Sequence, residues 1–351
     1  MEKTAIKTKK NLNSHTILLW ITVGLFILLY AAGYFMYGFG ENAKGFEKLQ
    51  NFLDIFRTNA ALICIACGMT CVMLTGGIDI SVGSLVAMDC MILSVGMENS
   101  GISPTLLVPF VLLIGIVFGA VQGYLIGYLG IQPFIVTMAG MFFARGMTAV
   151  ICTDQVAITA DTNQLFYDIA NAKIILPFGG YTNNKGVYMA PFIRVGVVIA
   201  LLVLLIIFLM LRYTKFGRSL YAVGGSEQSA AMMGLNVKMT KLKAHILCSF
   251  LASIGGICYC LNSMQGSVQQ ATGFEMDAIS SSVIGGTLLT GGVGNVIGTF
   301  FGVLINGTIS SIVKTNGKLA SSWPNILTAA LLFVFIVIQS IFAAIREKQK
   351  A

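Results

Sequence analysis

The sequence is short of charge, of histidine and of the patterns that build catalytic centres. Only 10% of its 351 residues are charged, against about a quarter in a soluble domain, so a water-soluble globular fold is excluded. Its two histidines, His15 and His245, have no catalytic neighbour in sequence, and no HExxH, GxSxG or paired-glutamate constellation occurs. The Gly317-Lys318 pair is followed by Leu319 and lacks the upstream glycine of a P-loop, so no Walker nucleotide site is present. There is no RRM, OB or zinc pattern, and the net charge of +8 sits mostly in loops flanking apolar runs, which argues against nucleic acid as a partner. The apolar run after the lysine-rich start has no small-x-small cleavage site and reads as a first anchor rather than a signal peptide. The cysteines Cys64, Cys67, Cys71, Cys90, Cys152, Cys248, Cys258 and Cys260 lie almost all in apolar runs. Cys64 and Cys67 have CxxC spacing but no histidine or polar support, so they read as packing, and no metal or cofactor is expected.

What the chain has is hydrophobic length. Apolar residues make up 56% of it and its mean hydropathy is +0.84. Apolar windows fall at 16–37, 60–74, 81–97, 105–129, 133–151, 192–211, 244–262, 276–289, 295–313 and 324–344, near the length a bilayer needs except for the second and eighth, which are short. The expectation is an all-α polytopic membrane protein of about ten transmembrane helices. One membrane domain covers 16–345, with short tails at 1–15 and 346–351. With the N-terminus inside, thirteen lysines and arginines fall on the cytoplasmic side against eight outside, which places both termini and the loop 212–243 in the cytoplasm.

Leu74-Thr-Gly-Gly-Ile-Asp-Ile-Ser-Val-Gly-Ser84 aligns with Leu289-Thr-Gly-Gly-Val-Gly-Asn-Val-Ile-Gly-Thr299. Both copies follow a short apolar segment on the same side, a parallel internal repeat of the kind that points to the moving part of a transporter. Its candidate residues are Gly76, Gly77, Asp79, Gly83, Gly291, Gly292, Gly294 and Gly298, since paired glycines allow positive φ and close helix approach.

Four ionisable groups fall in or beside predicted spans. Asp79 reads as a cap of the third span, with Ser81 as the alternative. Arg145 either pairs with an acid or snorkels outward, Asp277 caps the eighth span or contacts a ligand, and Asp89 has no assigned role. Gln122, Gln132 (beside Phe134), Asn262 and Asn306 are candidates to line a polar path or to bond helices together.

The loop 212–243 is the long basic polar stretch between spans. Within it, Ser226–Gly234 reads as a short helix, with Ser226 as N-cap, Glu227 in the first turn and Gly234 as a left-handed stop. Ser226, Glu227, Ala230, Ala231 and Gly234 are the candidate docking residues.

The segments LTGGIDISVGS (74–84), IQPFIVTMAGMFFARGM (131–147), TKFGRSLYAVGGSEQSAAMMGLNV (214–237) and MDAISSSVIGGTLLTGGVGNVIGTFFGV (276–303) resemble the permease subunits of bacterial ABC sugar importers of the ribose/galactoside group, and within it the galactofuranose type. The resemblance implies a permease in the inner membrane with no catalytic residues of its own. It implies a separate ATP-binding-cassette subunit docked on the 226–234 helix and a second permease, related chain or copy. It also implies an extracytoplasmic sugar-binding protein at the outer mouth, for which topology and length single out the outer loop 152–190. A gradient-driven sugar carrier is the alternative, and it would need buried acids that are sparse here.

Overall fold

The computed structural model describes residues 14–39, 45–182, 188–320 and 322–350; most of the expected N-terminal tail, 1–15, lies outside them. The helices are α1 (Ser14–Tyr37), α2 (Leu49–Leu74), α3 (Val82–Glu98), α4 (Pro104–Gly127), α5 (Pro133–Ile151), α6 (Gln164–Asn171), α7 (Val195–Tyr213), α8 (Lys215–Gly225), α9 (Glu227–Met232), α10 (Val237–Ser263), α11 (Phe274–Ile284), α12 (Val296–Asn316) and α13 (Trp323–Lys350). Eight of them, α1, α2, α4, α5, α7, α10, α12 and α13, are long and apolar enough to cross a membrane. The protein is a mostly helical, polytopic membrane protein.

Burial sorts these helices into two shells. In their most apolar windows α2, α10 and α12 are 78, 72 and 67% buried, while the other five are 17 to 28% buried and turn apolar side chains outward. The 17-residue α3 and the 11-residue α11 fill the centre with α2, α10 and α12. Hydrocarbon gives little drive for helices to associate, so small residues that permit close backbone approach do the joining. On α4, Gly115, Gly119, Gly123 and Gly127 recur every fourth residue and face α10. A Cβ on Gly119 would lie 2.6 Å from the His245 carbonyl oxygen and 2.7 Å from Ile246 Cα.

Several boundaries differ from those expected. The second span begins at Leu49 rather than Ala60, because Asp54 and Arg57 pair along the helix at 3.2 Å instead of marking a loop. The seventh starts at Val237, capped by Asn236, so its lysines are helical too. The eighth stops at Ile284, short of Leu289, because Gly286 turns left-handed at φ 91°. At the other end of the chain, α13 continues through the expected tail to Lys350.

The all-α expectation also needs correction. Among the described residues six short strands, β1 (Val156–Ala157), β2 (Lys173–Ile175), β3 (Tyr181–Thr182), β4 (Tyr188–Met189), β5 (Phe192–Arg194) and β6 (Gln265–Gly266), form three antiparallel two-stranded ladders, β1–β6, β2–β5 and β3–β4. Phe192, expected to open a span, instead pairs with Ile175, and α7 begins at Val195. Away from hydrocarbon, non-helical backbone can satisfy itself by local pairing.

Candidate functional site

Between the end of α7 and the lysine-bearing start of α10, the 212–243 segment folds into two short helices, α8 packed on α7, α2 and α10, and α9 on α8 and α10. Thr214 caps α8 by accepting from the Gly217 amide, and α8 runs to Gly225, leaving Ser226 alone before α9. Ser226 Oγ accepts from the Ser229 amide at 3.2 Å, so the expected N-cap is present. At the other end Gly234 has φ 80°. Its amide donates to Ala231 O at 2.9 Å and that of Leu235 to Ala230 O at 3.0 Å, a paired left-handed termination. Ala230 is buried beneath this knob, and Glu227 reaches back to Lys241 of α10 at 2.5 Å. Met232 and Met233 are 77 and 70% exposed, an apolar tip on an otherwise polar projection.

The two LTGG turns, far apart in sequence, touch each other. The Gly292 amide donates to the Leu74 carbonyl at 2.9 Å. Gly76, Gly291 and Gly292 have φ of 78, 86 and 74°, and a Cβ on Gly291 would lie 2.7 Å from Gly76 N. Gly224 of α8 closes the group, since its Cβ would overlap Leu74 O and Gly292 N. Tyr221 Oη donates to Gly294 O at 3.0 Å. Burial first, and then neighbouring Cys71, push this hydroxyl up to about 12, so it stays a donor. Gly298 is pressed against Gly285 where α12 meets α11, and Gly83 faces the Glu275 carboxylate and Ala271 O. Gly77 is less constrained, with Val72 Cγ1 at 3.2 Å from where its Cβ would be.

Asp79 is buried and supports the start of α3. Its Oδ1 accepts from Ser81 N at 3.0 Å and Ser81 Oγ at 2.6 Å. Ser81 holds the N-cap position, so the carboxylate fixes the cap rather than being it. Asp79 Oδ2 lies 3.8 Å from His245 Nδ1, a partner that nothing in the linear sequence announces. Arg145 donates to Val268 O at 2.7 Å and Gln270 O at 2.8 Å, tying α5 to the chain after α10. Asp277 sits with Glu275 in the first turn of α11, where negative charge suits the helix dipole. Asp89 is buried facing Gly256 of α10.

The candidate path residues are not brought together. Gln122 donates to Ser81 Oγ at 3.0 Å, and Asn306 donates to Ser281 Oγ at 2.9 Å while accepting from Thr328 at 3.3 Å. Both are buried and act as bonds between helices. Gln122 also edges an apolar groove of about 720 Å³ between α4 and α5, walled by Phe118, Phe143 and Met147. Gln132 and Phe134 are exposed at the start of α5, and Asn262 is exposed at the end of α10. On the same side of the fold as Asn262, Glu98 accepts from the Thr159 amide and from the Thr159 and Thr162 hydroxyls, pinning the 152–194 segment to the end of α3.

Sequence reasoning missed Tyr221, Gly224 and His245. The Gly224-Gly225 pair was the one available signal, because adjacent glycines between two polar helices call for a close backbone contact.

Comparisons with known proteins identify the chain's relatives. A family model described as branched-chain amino acid transport system / permease component matches residues 51–338. The chain is 37% identical to the inner membrane ABC transporter permease protein YjfF of Escherichia coli, over 95% of both chains. It is 34% identical to the fructose import permease protein FruG of Bifidobacterium longum, covering 93% of this chain and 92% of that one. It is 32% identical to the ribose import permease protein RbsC of Escherichia coli, over 84% and 87%. No solved structure matches the chain. With most of its length matched by the family model and by relatives of equal extent, the chain belongs to the branched-chain amino acid transport system / permease component family.

Proposed function

We propose that the chain is the inner-membrane permease subunit of an ATP-driven importer for a monosaccharide. The capped knob α9 carries this reading. It holds Met232 and Met233 exposed in the middle of a basic segment, where a docking partner would cover them. Ser226, Glu227, Ala230, Ala231 and Gly234 form and anchor that knob, and a separate ATP-binding-cassette subunit docks there and hydrolyses ATP. The permease has no ATPase chemistry of its own.

Counting α3 and α11 with the eight long helices makes ten transmembrane segments, so both termini and the knob lie in the cytoplasm, as the basic loops require. In this orientation both LTGG turns lie on the cytoplasmic side, each between an incoming and an outgoing helix, as a parallel repeat does. The outer segment 152–194, with its ladders and Glu98 pin, receives an extracytoplasmic sugar-binding protein. A second permease, a related chain or a copy, completes the pathway. Relatives named as ribose and fructose import permeases support a monosaccharide as cargo. Transport follows from a rigid-body change between inward- and outward-facing packings, driven by the cassette through the knob.

The test is gentle-detergent purification of the tagged chain from its native membrane, with co-purifying chains identified. Recovery of a nucleotide-binding subunit is the expected result, and a second permease species would mark a heterodimer. Recovery of the chain alone, after crosslinking to hold weak complexes, overturns the proposal in favour of a gradient-driven carrier.

A further inference from the structure

The coupling reading leaves open how movement of a six-residue knob reaches helices deep in the bilayer. The answer lies two residues before its cap. Gly224 belongs to the last turn of α8, and Ser226 alone separates α8 from α9, so the two short helices form one bent lever. At Gly224 this lever meets the membrane bundle backbone to backbone. On one side is the Leu74 carbonyl that ends α2, and on the other the Gly292 amide of the second LTGG turn. Those two groups are hydrogen-bonded to each other at 2.9 Å. Gly291 completes the contact, with its missing Cβ 3.1 Å from Gly224 Cα and 2.7 Å from Gly76 N.

We propose that Gly224 is the positioning residue of the coupling joint, through which the lever displaces both LTGG turns, and with them the α2–α3 and α11–α12 pairs, as one unit. The proposal rests on the docking reading of α9 and gives it a mechanical route.

Four observations argue for transmission rather than simple packing. A contact of peptide on peptide contains no side-chain rotamers, so it cannot absorb a displacement by reorienting a side chain. The Leu74–Gly292 hydrogen bond joins the two turns that the lever touches, so neither can move alone without losing it. A second bond, Tyr221 Oη to Gly294 O at 3.0 Å, fixes the lever's angle to the second turn. Beyond that turn lies a cavity of about 420 Å³, bordered by Leu19, Phe208, Arg212 and Gly286, which leaves the turn room to shift.

Gly224 has no positive φ, so Gly224→Ala adds a methyl group to the joint without forcing the backbone into a strained region. Its neighbour Gly225 is a matched control, because a Cβ there meets nothing within 4 Å. The experiment uses the whole importer, purified with its partners into lipid vesicles, and measures ¹⁴C-ribose or ¹⁴C-fructose taken up per ATP hydrolysed. Because α8 and α9 stand outside the long helices, the overlap of a Gly224→Ala Cβ with Leu74 O and Gly292 N is relieved by shifting the lever off the joint. The importer is expected to assemble and hydrolyse ATP yet lower sugar per ATP by about tenfold, the size of a lost coupling energy. Gly225→Ala should match the parent, and Tyr221→Phe should fall between them. A Gly224→Ala importer with the parent's sugar-to-ATP ratio overturns the joint, and so does an equal loss in Gly225→Ala. Should Gly224→Ala fail to accumulate, Tyr221→Phe decides, since it removes one hydrogen bond and no volume from the contact; an unchanged ratio there also overturns it. Glu227→Lys separates the two levels of the argument. If it uncouples transport while Gly224→Ala and Tyr221→Phe do not, the joint is wrong and the docking site stands; if none of the three does, the docking reading fails as well.

Discussion

Replacing Gly234 by valine tests the knob with little disturbance elsewhere. The residue sits at φ 80°, and a Cβ built on it meets no atom within 4 Å. The substitution therefore adds no clash, and its whole cost is the left-handed backbone, about 1–2 kcal/mol for a residue with a side chain. The local anchors are of the same size. The Ser226 cap contributes about 1 kcal/mol and the half-exposed Glu227–Lys241 pair about 0.2–1 kcal/mol. Strain that matches these anchors brings the folded and unwound forms of the end of α9 to about equal populations, since each 1.4 kcal/mol lowers the folded-to-unwound ratio about tenfold. The membrane bundle feels none of it, so the amount of chain in the membrane should be unchanged. ATP-dependent uptake of ¹⁴C-ribose or ¹⁴C-fructose by vesicles holding the whole importer should fall by about half for Gly234→Val. Gly234→Asn should stay near the parent, because asparagine tolerates the left-handed region, and Gly234→Ala should fall between them. Full uptake by the valine variant refutes the reasoning, and so does a loss in the asparagine variant as deep as that in valine.

Three further outcomes follow from the packing. Gly119→Leu should prevent the chain from accumulating as a detergent-stable species, because its Cβ would lie 2.6 Å from His245 O on α10, whereas Gly24→Leu, at a site open for 4 Å, should be neutral; size-exclusion chromatography after detergent extraction distinguishes them. Asn306→Leu removes bonds to Ser281 and Thr328 and should lower thermal stability by roughly 1 kcal/mol, the scale of interhelical bonds in membranes, with sugar affinity retained; lost affinity at unchanged stability would make Asn306 a path residue instead. Arg145→Gln gives up two charge-assisted bonds to Val268 and Gln270, worth about 1.5–3 kcal/mol each, and should make the 264–273 segment a new site of limited proteolysis.

The long spans are legible in the sequence because length and hydropathy are local properties, and a window of some twenty apolar residues has few other fates. Their ends are not. Asp54 and Arg57 look like a loop until they are seen to neutralise each other along one helix face, which adds a further stretch of helix to the start of α2. The outer ladders were equally hidden, since Val156 pairs with Gly266 across more than a hundred residues and neither strand is long enough to show a period. The knob was read correctly in detail, from Ser226 to Gly234, because capping and left-handed termination depend on the few residues involved.

The LTGG repeat shows where legibility stops. Aligned by letters, Gly76 corresponds to Gly291, but the hydrogen bonds make a different match. Gly76 N donates to Met73 O and Gly77 N to Val72 O; in the second half it is Gly286 N that donates to Val283 O and Thr287 N to Ser282 O. Gly286, at φ 91°, thus ends its helix as Gly76 at 78° ends the first, five residues before the letters would place it. Downstream the helices begin at Val82 and Val296, within one residue of the aligned positions. The extra residues in the second half are what carry Gly291 and Gly292 across to touch Gly76 and accept Gly224. A glycine pair in a sequence says that backbone will approach something closely; it does not say what. Here what approaches is the other copy of the motif, so the repeated letters mark a contact between the two halves as well as a resemblance between them.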